Sequence, residues 1–298
     1  MFEYFTFNAL GTRWEVETLK VVPDEVRAQI ARSIDAFETV YSRFKDDSLV
    51  SRVASALQGG RFTFPENALV LFELYDRLHA VTEGAVDPLV GRRLERLGYD
   101  KTYSLGRAVE HCLDDCQAER DLVWRRDITR DGVIVTTERP VLIDVGAAGK
   151  GLLVDSVSIL LRDAGFDTFL VNASGDMRHC GEQAIRVGLE HPSAPDRVIG
   201  VANLEGRALC ASAVNRRAWG DGLHHVLDAR TGHPVRGVTA TWVIADDAAT
   251  ADGLATALFF VSSEPLAEQF DFTYVRMFAD GRAEASPDFD GELFFAMD

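Results

Sequence analysis

Cysteine is scarce in this chain, and long apolar runs are missing. Four cysteines among 298 residues are too few and too scattered for the disulfide framework that holds small secreted domains together. We expect Cys112, Cys116, Cys180 and Cys210 to be mostly buried thiols, because Cys112 and Cys116 beside His111 lack a second pair at metal-ligand spacing. No apolar run approaches the roughly 18 residues of a spanning helix, so an integral membrane protein is not expected.

Positive charge is also in short supply. Lysine and arginine number 31 against 47 aspartates and glutamates, a net charge of −16, which repels nucleic-acid phosphates and anionic membrane surfaces. A nucleic-acid partner is therefore not expected, and an anionic small ligand would need a metal ion or a local cluster of donors. The first residues contain neither a basic segment before an apolar block nor a cysteine. We therefore expect a cytoplasmic protein, unless a leader has been trimmed.

The remaining composition, 47% hydrophobic and 26% charged, is that of an ordinary globular protein with a substantial core. Alternation predicts strands over Phe2–Glu17, interrupted at Gly11–Thr12, and helical spacing predicts helices over Pro23–Val40, Asn67–Val81 and Leu152–Ala164. A long final helix is expected from near Thr250, and further strands are expected over Val133–Val135, Val141–Ile143, Thr168–Val171, Ala184–Leu189, Val198–Leu204, Ala208–Ala213 and Val238–Ala245. The strands do not alternate regularly with helices and no Pro-rich or Ser-rich linker divides them. This pattern predicts an α+β fold in a single domain, 1–298.

A loop of small residues over Asp144–Gly151 is the most informative local feature. Small side chains let a backbone approach a ligand, and a helix N-terminus beside Lys150 would favour a phosphate. The order of glycines is wrong for a Walker A loop, and no Ser or Thr follows the lysine. Taken alone, a tight strand-to-helix connection with a solvated lysine explains the loop better.

Asp252 and Thr256 form a second candidate site near the start of an apolar helix. A spacing of four places a carboxylate and a hydroxyl on one helix face, which suits a hard cation that prefers oxygen ligands. Alternatively, Asp252 complements the helix dipole while Thr256 packs, and spacing alone favours this second interpretation.

Two further segments combine a titratable group with a turn. His225 precedes a short strand and could donate to a phosphate or move a proton, whereas His224 is interpreted as a surface neighbour. Arg230 could simply pair with Asp228 across the following turn. Asp87, in the loop before Pro88, could face a ligand or only cap the turn.

Together these segments carry a resemblance that none of them carries alone. Across essentially its whole length the chain resembles the ApbE family of flavin transferases, the FAD:protein FMN transferases. The matching blocks are Ala9–Thr12 for the family's Ala-Met-Gly-Thr, Tyr41–Phe44 with Ser48 and Ser51 for its serine-rich signature, Thr82–Pro88 for Thr-x-Gly-Ala-Phe-Asp-Pro, Asp144–Gly151 for Asp-Leu-Gly-Gly-Ile-Ala-Lys-Gly, Leu170–Asp176 for Val-Asn-x-Gly-Gly-Asp, His225–Gly232 for His-x-x-Asp-Pro-x-Thr-Gly and Ala251–Ala257 for Ala-Asp-Ala-x-Ala-Thr-Ala.

The resemblance implies an ApbE-like, T-fold-like architecture with internally duplicated halves around a flavin cleft. It implies transfer of FMN from FAD to a Ser or Thr hydroxyl of an acceptor flavoprotein, with release of AMP. Mg²⁺ would be held by the side chains of Asp252 and Thr256 and the backbone carbonyl of Gly149. Catalytic roles are implied for His225 and Lys150, which would stabilise phosphate charge, and for Asp144. The implied FAD contacts are Leu10, Tyr41, Thr82, Gly84, Ala85, Asp87, Gly146, Lys150, Asp176, Ser212, Arg217 and His225.

The chain departs from the family pattern over Ala211–Arg217. Where the family has Thr-Ser-Gly followed by an aromatic residue and Arg, this chain keeps only Ser212 and Arg217. Since Ala211 and Ala213 are expected near the cofactor, flavin orientation or acceptor docking could differ. This departure leaves two alternatives, a non-catalytic FAD-binding or flavin-carrier protein and a Mg²⁺-dependent FAD pyrophosphatase that gives FMN and AMP.

Overall fold

The computed structural model describes residues 2–102, 104–105, 122–220 and 222–294. His111, Cys112 and Cys116 lie outside these ranges. The helices and strands, in chain order, are β1 (Glu3–Ala9), β2 (Thr12–Thr18), α1 (Asp24–Tyr41), α2 (Leu49–Ser55), β3 (Gly60–Thr63), α3 (Ala68–Val81), α4 (Gly91–Arg96) after a 3₁₀ turn (Pro88–Val90), α5 (Trp124–Asp127), β4 (Ile128–Asp131), β5 (Ile134–Thr137), α6 (Gly149–Asp163), β6 (Phe169–Asn172), β7 (Asp176–Cys180), β8 (Ile185–His191), β9 (Ala194–Leu204), β10 (Ala208–Ala213), β11 (Ala218–Trp219), β12 (Leu223–His224), β13 (Leu227–Asp228), β14 (His233–Pro234), β15 (Val238–Ala245), α7 (Ala248–Ala257), α8 (Ser263–Ala267), β16 (Thr273–Phe278), β17 (Ala283–Ala285) and β18 (Gly291–Leu293).

Two compact units divide the chain. The first unit comprises Met1–Ile34, Ala148–Asn215 and Arg236–Asp298, and the second comprises Asp35–Ala147 and Arg216–Val235. Neither unit is a continuous stretch of sequence, because the chain enters and leaves each of them more than once. The expected single domain over 1–298 remains a prediction.

The first unit is built on an eight-stranded antiparallel sheet with the order β1-β2-β6-β7-β10-β15-β16-β17. Helices α6 and α7 pack on one face of its central strands. A smaller sheet, β18-β9-β8, packs on the other face through an apolar cluster that includes Leu189, Leu204, Leu209, Trp242 and Val275. The alternation of β10 follows from these layers, since Leu209 enters the cluster while Cys210 contacts the start of α7.

The second unit combines helices with a three-stranded antiparallel sheet, β3-β5-β4, and two short ladders, β11-β12 and β13-β14. Aromatic contacts run through its interior from Tyr41 to Phe64, then to Phe72 and Trp124. Tyr99 and Trp219 stack in a second apolar cluster, with ring centroids 5.7 Å apart. These contacts supply the buried aromatic area that holds long irregular segments in place.

Most predicted elements are confirmed, and three are corrected. Val141–Ile143 is buried but forms no strand, and the glycine loop is shorter than expected because α6 already begins at Gly149. The helix expected from Thr250 begins at Ala248, runs for ten residues and is followed by further strands. The α+β class is confirmed. Within the described ranges, no helix combines the length and apolar character needed to cross a membrane.

Candidate active site

In the first unit, α6 and α7 approach closely at the Gly-Lys-Gly segment. A Cβ placed on Gly151 would lie 2.1 Å from the carbonyl oxygen of Ala248, so only glycine permits this approach. The backbone N–H of Gly151 donates to Oδ2 of Asp252 over 3.0 Å. Asp252 lies in the middle of α7, whose N-cap is Asp247. The simpler interpretation of the spacing required Asp252 to lie in the first turn and complement the helix dipole. The structure does not place it there.

The residues expected to hold Mg²⁺ offer oxygen donors of the type that this ion prefers. Asp252 is buried and Thr256 is half-buried one turn later on the same helix, while Gly149 is buried at the first turn of α6. Among the described residues, no three His, Cys, Asp or Glu side chains cluster as metal ligands. One carboxylate, one hydroxyl and one carbonyl would leave most of an octahedral shell to water and substrate phosphate, which is the usual state of Mg²⁺ in proteins. The donor chemistry therefore fits the ion.

Lys150 forms a buried ion pair with Asp176 at the start of β7. Lys150 Nζ lies 2.8 Å from Oδ2 of Asp176, whose side chain has no exposed surface, while the lysine keeps a quarter of its side-chain surface. Burial lowers the pKa of Lys150, but attraction to Asp176 and Asp252 outweighs it and the net pKa is raised. Burial also raises the pKa of Asp176, and the lysine opposes that rise. The pair is thus held by mutual attraction in a poorly solvated place.

Cys210 lies in β10 opposite Asp176 in the strand register. Burial, reinforced by nearby carboxylates, raises the pKa of this thiol well above its usual value. Its Sγ contacts the carbonyl oxygen of Ala248 over 3.4 Å. Cys210 is therefore a neutral structural thiol, as expected, whereas Cys180 is half-buried.

Ser212 is separated from its two alanine neighbours by the pleat of β10. It pairs in register with Thr241, whose hydroxyl donates to α7 at the carbonyl of Ala255 over 2.7 Å, so Ser212 is on the helix-facing side of the sheet. Ala211 and Ala213 pack against the apolar cluster between the two sheets. Ala211 and Ala213 therefore lie on the opposite face of β10 from Ser212, and their expected place near the cofactor remains a prediction.

Leu10 occupies a strained turn between β1 and β2, at one edge of the eight-stranded sheet. Its φ is 49°, and that of Gly11 is 70°, as the two-residue turn between β1 and β2 requires. A left-handed conformation is costly for leucine, and such strain is concentrated at ligand-binding sites. The hairpin is fixed by Trp14, whose Nε1 donates to the carbonyl of Ala9 over 3.1 Å.

In the second unit, Asp87 is fully engaged by the protein. Its Oδ1 accepts from the N–H of Leu89 and its Oδ2 from the N–H of Trp124, at 2.8 and 2.9 Å. Nε2 of His79 lies 3.3 Å from the same Oδ2. Asp87 therefore holds this loop together, and no sequence motif indicated its contacts with His79 and Trp124.

The loop that contains Asp87 is shaped by Thr82 and Gly84. Thr82 Oγ1 donates to the carbonyl of Leu78 and accepts from the N–H of Val86. Gly84 has a φ of 85°, which only glycine adopts without strain. The carbonyl of Ala85 accepts from the N–H of Ala229 over 3.1 Å. This bond joins two segments that the sequence places far apart, the one around Thr82 and the one around His225.

His225 is half-buried, and its N–H donates to the carbonyl of Arg217 over 3.3 Å. Its neighbour His224 is buried and contacts the carbonyl of Val235, so the interpretation of His224 as a surface residue is wrong. Burial lowers the pKa of His224 and favours the neutral ring. Arg230 pairs with Asp228 over 2.7 Å, as expected.

Asp144 and Gly146 lie together just before α6. Oδ1 of Asp144 accepts from the N–H of Gly146 over 2.7 Å, and Oδ2 accepts from Nε of Arg43 over 2.6 Å. Arg217 reaches the same cluster, with its Nη1 donating to the hydroxyl of Tyr99 over 2.6 Å. The contacts of Arg43 and Tyr99 were not found from the sequence, since both partners lie far from Asp144 along the chain.

Tyr41 is buried at the end of α1, with its ring 4.8 Å from that of Phe37 and 6.2 Å from that of Phe64. Its hydroxyl has no hydrogen-bond partner among the described residues. Burial raises the pKa of the hydroxyl far above its usual value. The implied flavin contact of Tyr41 remains a prediction, as do the roles of the other implied site residues.

The fold is that of a mixed α/β protein in which α6 begins with Gly149 and Lys150. The model of the ApbE family matches residues 10–273, so the chain belongs to the ApbE family. It is 28% identical to the FAD:protein FMN transferase of Rhodobacter capsulatus, over 97% of this chain and 58% of that protein. It is 26% identical to the FAD:protein FMN transferase of Vibrio cholerae, over 80% and 74%.

The fold is also similar to that of solved ApbE structures. The crystal structure of the ApbE protein of Thermotoga maritima superimposes with a TM-score of 0.83 at 24% identity, covering 96% of this chain and 97% of that one. At this identity the similarity establishes the fold alone. The chain spans a little over half the length of the Rhodobacter relative.

Proposed function

We propose that the chain is a Mg²⁺-dependent FAD:protein FMN transferase. The hydroxyl oxygen of a Ser or Thr on an acceptor flavoprotein bonds to the FMN-side phosphorus of FAD. The bond between that phosphorus and the bridging oxygen breaks, AMP leaves with the electron pair, and the hydroxyl proton passes to water. Support comes from the activity for which the relatives in Rhodobacter and Vibrio are named.

The observation that carries the proposal is the close approach of α6 and α7 at Gly151. It sets the carboxylate of Asp252 against the first turn of a helix that begins with Gly149 and Lys150. A helix start offers N–H groups to a phosphate, and Lys150 adds a positive charge. In a chain with a net charge of −16, this local concentration of donors is what an anionic pyrophosphate requires.

Asp252, Thr256 and the carbonyl of Gly149 would hold the metal. When bound, Mg²⁺ neutralises pyrophosphate charge and polarises the phosphorus for attack. Lys150 donates to phosphate oxygens and is itself aligned by Asp176. His225 adds a donor for phosphate charge, and Asp144 orders the glycine loop through the N–H of Gly146.

The finer parts of the proposal concern flavin binding and the fold. Flavin contacts are assigned to Leu10, Tyr41, Thr82, Gly84, Ala85, Asp87, Gly146, Asp176, Ser212 and Arg217. A T-fold-like internal duplication and the single-domain description belong to the same proposal, and so does a cytoplasmic location.

The test is to incubate the protein with FAD, Mg²⁺ and a peptide that carries an acceptor threonine. In-gel flavin fluorescence and mass spectrometry then identify the products. Flavinylated peptide with one equivalent of AMP supports the transferase. Free FMN with AMP and no labelled peptide or candidate acceptor protein contradicts it in favour of a pyrophosphatase. Bound, unchanged FAD with every acceptor tested contradicts it in favour of a flavin carrier.

A further inference from the structure

Arg43 is the buried cation at the centre of the polar cluster in the second unit. It lies two residues beyond the end of α1 and keeps only 3% of its side-chain surface exposed. Its Nε donates to Asp144 across 101 positions of sequence, and its Nη1 donates to the carbonyl of Tyr99 over 2.9 Å. Burying an arginine is costly unless its charge is paired and its donors are used, so this position is strongly specified.

Two aromatic rings fix the plane of the guanidinium. The carbon at its centre lies 4.3 Å from the ring centroid of Phe44 and 4.9 Å from that of Tyr99. Cations are attracted to such ring faces, and the planar arginine group suits this arrangement better than a lysine ammonium. With two hydrogen bonds and two rings, Arg43 has little freedom to rotate away from Asp144.

The carboxylate of Asp144 is held between two donors. Arg43 takes Oδ2, and Oδ1 is thereby turned toward the N–H of Gly146. A Cβ on Gly91 would lie 3.3 Å from Cβ of Asp144, so the chain of α4 also packs against this side chain. The orientation of Asp144 and the backbone of the glycine loop are therefore set together.

One nitrogen of the Arg43 guanidinium makes no hydrogen bond within the described part of the chain. Its Nη2 is buried and has no hydrogen-bond partner among the described residues. A buried donor without a partner lowers stability, so such a group in a folded protein calls for a specific explanation.

We infer that Arg43 is a positioning residue for the reaction, acting through Asp144 to order the glycine loop before α6. The inference rests on the proposed function for its role in flavin transfer, but the ordering of the loop does not depend on any substrate. Arg43 holds the Asp144 carboxylate in the direction that binds Gly146. The conformation of the segment that leads into Gly149 and Lys150 follows from that contact.

A matched pair in the same unit provides the control. Arg130 forms an ion pair with Asp76, its guanidinium lies 5.7 Å from the ring of Phe72, and Asp76 also accepts from Nε1 of Trp124. This pair has the same chemistry as Arg43 with Asp144, but the further partner of Arg130 is the carbonyl of Gly132, to which its Nη1 donates over 3.0 Å, and not the chain before α6. Arg130→Gln therefore reports the cost of losing a half-buried arginine pair of this kind.

The first measurement is amide exchange of Gly146 by NMR in the protein without flavin. Arg43→Gln is expected to raise the exchange rate of this amide at least about tenfold over wild type, because its acceptor is no longer held. Arg130→Gln is expected to leave it within about twofold, with amides of β1 and β2 as the internal reference. Equal exchange of Gly146 in the two variants would overturn the inference.

The second measurement is kcat/KM for flavin transfer in Arg43→Gln, Asp144→Asn and the double variant. If Arg43 acts through Asp144, the double variant is no worse than the poorer single variant within about twofold, since interacting residues are not additive. Losses that multiply would overturn the inference. If the wild type transfers no flavin, the proposed function fails, and the exchange of Gly146 still decides the role of Arg43.

Arg43→Lys keeps the test decisive if Arg43→Gln does not fold. The ammonium group of a lysine cannot bind both Asp144 and the Tyr99 carbonyl with the geometry of the planar guanidinium. We expect Gly146 exchange and transfer rates between those of wild type and those of Asp144→Asn. Arg43→Lys that matches the wild type in both measurements would show that the arginine geometry has no positioning role.

Discussion

Lys150 and Asp176 in the first unit lie at the ends of regular elements, whereas Arg43 and Asp144 in the second lie on irregular chain. The first pair joins the start of α6 to the start of β7, and Asp176 has no exposed surface. The second pair joins the chain after α1 to the loop before α6. Helix α6 and strand β7 fix the positions of Lys150 and Asp176. By contrast, the contact between Arg43 and Asp144 holds the irregular segments that contain these two residues.

The two pairs also depend on charge in different ways. Burial raises the pKa of Asp176, so its negative charge depends on Lys150. Arginine remains charged at any pH that a protein tolerates. The main effect of Arg43 is therefore to orient the carboxylate of Asp144. We therefore expect variants of the first pair to change stability with pH, and variants of the second to change loop order.

The largest expected effect comes from breaking the first pair. Lys150→Met should lower the free energy of unfolding by about 3–5 kcal/mol at pH 7.5, because it leaves Asp176 buried without its cation. A carboxyl whose pKa is raised in the folded state loses stability as pH rises. The loss of unfolding free energy caused by Lys150→Met should therefore be smaller at pH 5 than at pH 7.5, as measured by urea denaturation.

Lys150→Met combined with Asp176→Asn is the control for this prediction, since it removes both charges. It should recover most of the lost stability at pH 7.5. A double variant that is as unstable as Lys150→Met would show that lost packing, not the unpaired carboxylate, causes the effect.

The metal assignment predicts the next effect in size. Asp252→Ala should lower Mg²⁺-dependent transfer more than about 100-fold, since loss of an outer-shell partner alone typically costs 10–100-fold. FAD binding should weaken less, and Thr256→Val should act in the same direction but more mildly. The assay is initial rate against Mg²⁺ concentration, with FAD affinity measured separately by titration.

Asp247→Ala on the same helix is the matched control. It removes the N-cap carboxylate that accepts from the N–H of Thr250 over 2.7 Å, which should cost about 1 kcal/mol of stability. Transfer should stay within a few fold of wild type. Equal losses of transfer in the Asp247 and Asp252 variants would contradict a specific metal role for Asp252.

A third effect concerns the pH dependence of the first unit. Burial raises the pKa of Asp155 to about 6, although the N–H groups of Ala248 and Ala249 donate to it and oppose the rise. The folded pKa lies above the unfolded value near 3.9. This group therefore stabilises the fold fully below about pH 4, and the contribution of up to about 3 kcal/mol is lost as pH rises through 6.

Asp155→Asn tests this assignment because an amide does not titrate. Stability of wild type and variant is measured by urea denaturation from pH 4 to pH 7.5. The difference between them should change in favour of the variant as pH rises. A difference that does not vary with pH would assign the titration to another group.

The smallest expected effect concerns the departure from the family pattern in β10. Ala213→Gly restores the family residue on the face that packs against the apolar cluster. Stability should fall by about 1 kcal/mol, because glycine weakens a strand interior. FAD affinity should stay within about twofold by titration, whereas Ser212→Ala on the helix-facing side should weaken it more. The reverse order would mean that the alanine face contacts the flavin.

The local sequence pattern was sufficient to predict the positions of most helices and strands. Strands β1 and β2, helices α1 and α3, and strands β10 and β15 agree with their predicted ranges within one to two residues, because alternation and helical spacing follow directly from which faces are buried. The glycine loop was placed correctly as a feature but α6 begins earlier, at Gly149. Val141–Ile143 has strand composition yet pairs with none of the described strands, since composition does not determine pairing.

For the candidate site, the sequence determined which residues belong to the family blocks, including Asp144, Lys150, His225 and Asp252. It could not determine what each of them touches. Asp252 lies against Gly151 only because α6 and α7 pack without a side chain between them, and the side of β10 that Ser212 occupies depends on which layer covers each face. Arg43 meets Asp144 across 101 positions. Such contacts are set by tertiary packing, since local propensity is uninformative about groups so far apart in the chain.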